Sequence, residues 1–362
     1  RDLDAENGTA DSITIQLNAE GKPESEGDSE HWAYDYATSF SLNLRQGTFT
    51  LQPSSESGAE SALQTDLDIR KDAEFNSGTV GRRAYNEGTI SDGTFQREVY
   101  NYGTISNGTF QWEVTNEGTI SGGIFQRRVY NYEIISDGTF QGNVRNYGTI
   151  SGGTFEEAVG VYASSRTEAK IEGGTFEKDM TLANDDAPIT IKDGLFDGEV
   201  VTKKCDSPLS ISGGLFTKAV DVSNITNLPN LQITGGYFVN EPTMPEGSDT
   251  GFTTVSDQNG RTFQVPVNGG FSENNYKTLY VPHGMSERQA NPITVKTDTA
   301  LTDCLADGVS IMETDKVQKN DDGSYTIEVY QPESIVLVTE KPAPPTPDEP
   351  GDEIDPGFSS GA

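Results

Sequence analysis

Tyr85, Tyr100 and Tyr130 recur at one phase of a short repeat, and Tyr102, Tyr132 and Tyr147 recur two positions beyond it. A tyrosine joins an apolar ring face to a hydroxyl, which suits contact with sugar rings or peptide side chains. Trp112 shares a further phase with Arg97 and Arg127 and adds a second adhesive strip. The same spacing also suits ladders of like side chains whose only work is to hold the repeats together. Asp185, Asp186, Asp193 and Asp197 are the acids that could pair for general acid and base chemistry on a polysaccharide. His31 and His283 are the only histidines, and Cys205 and Cys304 the only cysteines, in no zinc or redox spacing. The cysteines read as two unpaired thiols. Asn320-Asp-Asp-Gly323 lacks the spaced ligands and distal glutamate of a calcium loop and reads as a hairpin turn.

These residues are positioned by a repeat. From Asn86 a 15-residue unit recurs, with Ile90, Ile105, Ile120, Ile135 and Ile150 at one phase. Phe95, Phe110, Phe125, Phe140 and Phe155 hold a second phase, and Val99, Val114, Val129, Val144 and Val159 a third. Beyond Val159 the period lengthens to 20–22 residues while the Ile-to-Phe spacing of five persists, through Ile233/Phe238. Insertions therefore enlarge one corner only. β-Branched and aromatic residues punctuated by glycine exclude a helical solenoid.

The fold class is all-β: a parallel β-helix or β-solenoid in which each coil sends three apolar side chains inward. Between the Ile and Phe strands only Asp, Asn or Gly comes first and only Gly second, from Asp92-Gly93 to Gly235-Gly236, as a tight corner needs. Three buried side chains cannot offset the entropy of ordering a coil, so neighbouring coils must stabilise each other. Asn86, Asn101, Asn116, Asn131 and Asn146 read as one side-chain ladder, and Gln96, Gln111, Gln126 and Gln141 as another. Thr89/Thr104 and Thr94/Thr109 start threonine columns, but these straddle a corner and are broken by Ile124 and Ile134, which argues against an ice-matching face.

The division expected is an N-terminal cap with irregular early coils over 1–80, solenoid repeats and a C-terminal cap over 81–268, a small β-rich domain over 269–340 and a proline-rich acidic linker over 341–362. A polar loop falls near 18–31, and Gly47-Thr-Phe49 echoes the repeat. Strands are expected at Gly251–Val255 and Gly308–Met312, each ahead of a turn and a second strand. The net charge of −32 lies mainly at the ends, with −14 over residues 239–362, and argues against nucleic acid and anionic lipid as partners. No 18-residue apolar run, signal peptide or initiating methionine occurs, so the chain reads as a mature or excised segment without membrane insertion.

The unit Ile211-Ser-Gly-Gly-Leu-Phe216-Thr-Lys-Ala-Val220, followed downstream by Asp257-Gln-Asn-Gly260-Arg-Thr-Phe-Gln-Val265, resembles the repeat region of large secreted surface proteins of Gram-positive gut bacteria. The resemblance covers roughly 47–265. It implies a parallel β-helix, an adhesin-like role toward glycans or host or bacterial surface proteins, a secreted or cell-wall location, and no catalysis or cofactor. The chain departs from that pattern in containing no Leu-Pro-x-Thr-Gly sorting signal. The alternatives are a passive stalk or a polysaccharide-degrading β-helix enzyme, and the oligomeric state is left open.

Overall fold

A computed structural model describes residues 12–17, 34–36, 41–53, 62–164, 167–248, 250–256, 261–268, 276–279, 293–295, 300–306, 309–328 and 335–339. The polar loop near 18–31 and the linker over 341–362 lie outside the described residues.

The molecule is a parallel β-solenoid of short strands, with one brief 3-10 turn among the described residues, at Leu228–Asn230. Each coil has three faces, named here for the residue that points inward. In one coil these are the Val face at Val99–Asn101, the Ile face at Thr104–Ile105 and the Phe face at Thr109–Phe110. All three pair in parallel with the coils before and after at a shift of one repeat: Val99 with Ala84 and Val114, Ile105 with Ile90 and Ile120, Phe110 with Phe95 and Phe125. Parallel pairing without offset follows from the constant period, since any slip would place polar residues on the axis.

Coil spacing brings the phenylalanines ring on ring. From Phe95 to Phe238 successive centroids lie 4.5–5.0 Å apart with planes within 5–8°. That distance is the ~4.8 Å separation of paired strands, so the backbone ladder and the ring stack impose the same repeat. The sequence count of three inward residues is one short. Asn86, Asn101, Asn116, Asn131 and Asn146 are fully buried, two residues after the valine position. Each amide Nδ2 donates to the Oδ1 of the next, at 2.6–2.7 Å from Asn86 through to Asn146. Beyond the first rung, buried amides are stable there because the ladder meets their hydrogen-bonding needs. The glutamines differ: Gln96, Gln111, Gln126 and Gln141 are exposed, and among the described residues no side-chain hydrogen bond links them.

The Ile-to-Phe corner is built on glycine. Gly93, Gly108, Gly123, Gly138, Gly153, Gly174, Gly194, Gly214 and Gly236 all have φ between 100° and 136°, the left-handed region that glycine enters without penalty. Where aspartate precedes, its Oδ1 accepts from the glycine N–H, at 2.7–2.8 Å for Asp92, Asp137 and Asp193. The other corner glycines, such as Gly103, have no positive φ. They are there for clearance, since a Cβ on Gly103 would lie 2.1 Å from the Gly88 carbonyl oxygen.

Upstream, the stack continues in parallel through Asp66–Ser77 and Ser41–Pro53 to Ser12–Leu17. Phe49 departs from the echo of the repeat: it aligns with Phe75 and Ile90 in the isoleucine column, while Leu63 and Val80 fill the phenylalanine column. Beyond Val159 the Val-face strands lengthen to Val159–Ala163, Met180–Asn184 and Val200–Cys205, so the insertions widen a face and are not confined to the corner as expected, because the added residues continue the strand pairing.

At the far end the hairpin Gly251–Ser256/Thr262–Asn268 runs antiparallel, and Phe252 meets Phe238 edge-on at 5.9 Å, closing the ring stack. The remaining strands, from Tyr276–Leu279 to Ile335–Thr339, are antiparallel around a second core of Phe263, Val265, Val295, Cys304, Tyr325 and Leu337. One pairing differs from expectation. The Asn320–Gly323 turn joins Val317–Lys319 to Tyr325–Ile327, while Val309–Ser310 folds back on Leu305–Ala306. The turn needs a strand that ends at its own first residue, and Val317–Lys319 supplies it.

Candidate binding surface

The aromatic and arginine side chains singled out in the sequence all belong to the Val face and the two corners that border it. Strand alternation turns the middle residue outward between two buried neighbours. The central column therefore reads Asp68, Tyr85, Tyr100, Thr115, Tyr130, Arg145, Gly160. Tyr85 and Tyr100 stack at 5.1 Å. Thr115 separates them from Tyr130, whose ring lies near two guanidiniums, Arg128 at 5.8 Å and Arg145 at 5.7 Å. Arg128 Nη1 also donates to the Tyr130 hydroxyl at 3.2 Å and approaches Glu113 at 3.5 Å. That hydrogen bond is the main reason its pKa stands above the ordinary arginine value.

The column after the buried asparagine reads Glu87, Tyr102, Glu117, Tyr132, Tyr147, and each of these amides donates to the carbonyl of an Asn or Ile in the coil before. Tyr132 and Tyr147 stack at 5.0 Å, and Tyr147 continues to Tyr162 at 5.4 Å. Tyr162 is an addition to the sequence-derived set. Its signal was present, three residues after Val159 as Tyr147 is three after Val144, but the change of period masked it. Gly160 makes its packing possible, because a Cβ there would meet the Tyr162 ring at 2.5 Å. Burial raises the Tyr147 hydroxyl pKa, with Tyr132 adding to the effect. Tyr102 stands apart, 50% exposed between two glutamates.

Stacking decides what each ring can offer. In Tyr132–Tyr147–Tyr162 the faces are occupied by one another, leaving edges and hydroxyls outside. Tyr102 keeps its faces free of other rings. Trp112, 40% exposed, has Arg97 over its ring at 5.6 Å. Its corner column continues through Arg127, Gly142 and Glu157, where Gly142 leaves a groove of about 490 Å³. Among the described residues no ion pair engages Arg97, Arg127 or Arg145. In a chain with 57 acids and 25 bases, Arg97, Arg127 and Arg145 are thus cations without a carboxylate partner, spread over four successive coils along the Val face and its border.

A second groove, about 520 Å³, runs over the Ile-to-Phe corner on Gly153, Gly174, Gly194 and Gly214, flanked by Thr175, Leu195 and Leu215. The carboxylates proposed for catalysis have structural partners. Asp185 pairs with Lys204 at 2.6 Å, Asp193 caps Gly194, and Asp197 accepts from Thr217 at 3.0 Å. Lys204 also meets Asp206 at 3.0 Å, and the two carboxylates raise its pKa. Cys205 and Cys304 are buried and free, with thiol pKa values pushed up by burial to about 11 and about 12. Among the described residues no group of His, Cys, Asp and Glu could hold a metal, and no helix is long and apolar enough to cross a membrane.

Comparison with protein-family models, with curated proteins and with solved structures found no match.

Proposed function

We propose that the chain is a non-catalytic, adhesin-like module of a secreted or cell-surface protein, which binds a glycan or a surface protein through the Val face of its solenoid. The observation that carries this reading is, among the described residues, the exposure of Tyr102, whose ring faces meet no other ring, and of Trp112, which lies under Arg97 with Arg127, free of ion pairs, one coil further on. Exposed aromatic rings beside arginines that no carboxylate neutralises form a surface whose interactions are not used up inside the molecule. The resemblance of the Ile-x-x-Gly-x-Phe repeat to Gram-positive surface proteins supports the location. The carboxylates of the longer coils support the absence of catalysis, since Asp185, Asp193 and Asp197 are committed to corners and ion pairs.

A second reading, a passive stalk, is favoured by the Tyr132–Tyr147–Tyr162 stack, where ring faces are consumed internally. The two separate on an array of mucins, host glycans and surface proteins. The binding reading expects wild-type signal that falls at least about tenfold in Tyr102→Ala/Trp112→Ala, the loss of one hot-spot contact. Signal unchanged in that variant refutes the site, and no signal anywhere supports the stalk.

A further inference from the structure

We propose that the notch over Gly142 takes a saccharide that carries a carboxylate, a uronic- or sialic-type residue; this rests on the glycan branch of the function proposed above. The notch is one missing side chain in the column Arg97, Trp112, Arg127, Gly142, Glu157. Its opening is enforced, because a Cβ at Gly142 would lie 2.4 Å from the Arg127 carbonyl carbon, so a larger residue cannot fill it without moving backbone. The volume, about 490 Å³, falls within the usual span of small-ligand sites.

The lining defines the ligand. Arg127 is exposed on one side, has no carboxylate partner, and carries a planar fork of donors that matches a carboxylate. Arg128 borders the same space, its charge shared between Glu113 and the Tyr130 hydroxyl. Gln126, Gln141 and Asn143 form an amide rim that can donate to and accept from hydroxyls. Glu157 closes the opposite side, can accept hydrogen bonds from hydroxyls and repels a second negative group. A ligand anionic at one end and hydroxylated over the rest satisfies every wall. A polysulfate or an acidic peptide does not, since each carries further negative charge toward Glu157.

The test uses the full chain and titration calorimetry. The probes are sialyllactose and trigalacturonic acid, their neutral counterparts lactose and methyl-esterified trigalacturonic acid, and an Asp/Glu hexapeptide. At least one carboxylated sugar is expected to bind about tenfold or more tighter than its neutral counterpart, the weight of one charge-assisted hydrogen bond. Arg127→Gln should erase that preference and Glu157→Gln should tighten binding, with circular dichroism unchanged because both side chains are exposed. Which carboxylated sugar responds separates the sialic from the uronic source. Equal binding of charged and neutral partners, a preference that survives Arg127→Gln, or equal binding of the peptide overturns the assignment. If neutral sugars bind and Trp112→Ala abolishes it, the carboxylate assignment fails and the glycan branch stands; if no saccharide binds, the assignment and the glycan branch both fail.

Discussion

The asparagine ladder has a direction, and the direction predicts which rung matters most. Every Nδ2 points toward the C-terminal coil, so beyond the first rung each Oδ1 has a single donor, while each amide nitrogen has spare acceptors. Asn101 Nδ2, for example, also reaches the carbonyls of Gly103 at 3.2 Å and Thr119 at 3.3 Å. At the first rung Asn86 Oδ1 is buried with no partner, because Ile69 occupies the position before it. Replacing Asn116 by valine orphans the Oδ1 of Asn131, which has no substitute donor, while Asn101 shifts its freed N–H to the two carbonyls. Replacing Asn86 by valine orphans Asn101 Oδ1 but deletes an orphan already present, a net change of none. Replacing Asn146 leaves Asn131 with Glu133 and Thr149 as acceptors and orphans no Oδ1. Shape is not the obstacle, since buried Ile69 and Val161 already stand at this phase in the flanking coils. A buried acceptor left unmade costs roughly 1–3 kcal/mol, so Asn116→Val should be less stable than Asn86→Val or Asn146→Val by about that amount. Urea denaturation followed by circular dichroism measures the order, and amide exchange at Tyr132 and Tyr147 localises it. Equal losses at the three positions, or the greatest loss at Asn146, would refute the account of a polarised ladder.

Three further outcomes follow from the same geometry. Gly138→Ala places a side chain at φ 129°, with its Cβ 3.3 Å from the Gly123 carbonyl oxygen and from the Phe140 ring; a loss of about 1–3 kcal/mol is expected in urea melts. Cys205 and Cys304 should resist iodoacetamide at pH 8 in the folded chain and both react after denaturation, read by mass spectrometry. Their folded pKa values lie above the ordinary 9.0, so the unfolded chain loses these protons first; the stability they contribute is full below pH 9 and declines as pH rises toward about 11 and about 12, visible as a falling urea midpoint.

Much of this was legible in the sequence because a constant period dictates neighbours. Ile, Phe and Val columns and the glycine corner follow from spacing, and the parallel register realises them, whereas the insertions expected to enlarge a corner lengthen the Val-face strands. Spacing does not reveal which polar residue turns inward. Asn101 and Gln96 share the same recurrence, yet one is buried and the other exposed, because only the asparagine alternates with the valine on its own strand. Position also differs from contact: Tyr100 and Tyr130 share a column, but Thr115 parts them, and the exposed partners of Tyr130 are arginines. The notch at Gly142 had no signal of its own, being one glycine among 39, and it emerges only when the column is assembled.

The direct test of a binding Val face is hydroxyl-radical footprinting of the full chain with and without a mucin-glycan pool, reading oxidation residue by residue. The account predicts that the ligand protects Trp112 and Tyr102, while Val309, 66% exposed outside the solenoid, is oxidised equally in both conditions. Unchanged oxidation of Trp112 and Tyr102 at saturating ligand, or protection confined to Val309 and its neighbours, would contradict it.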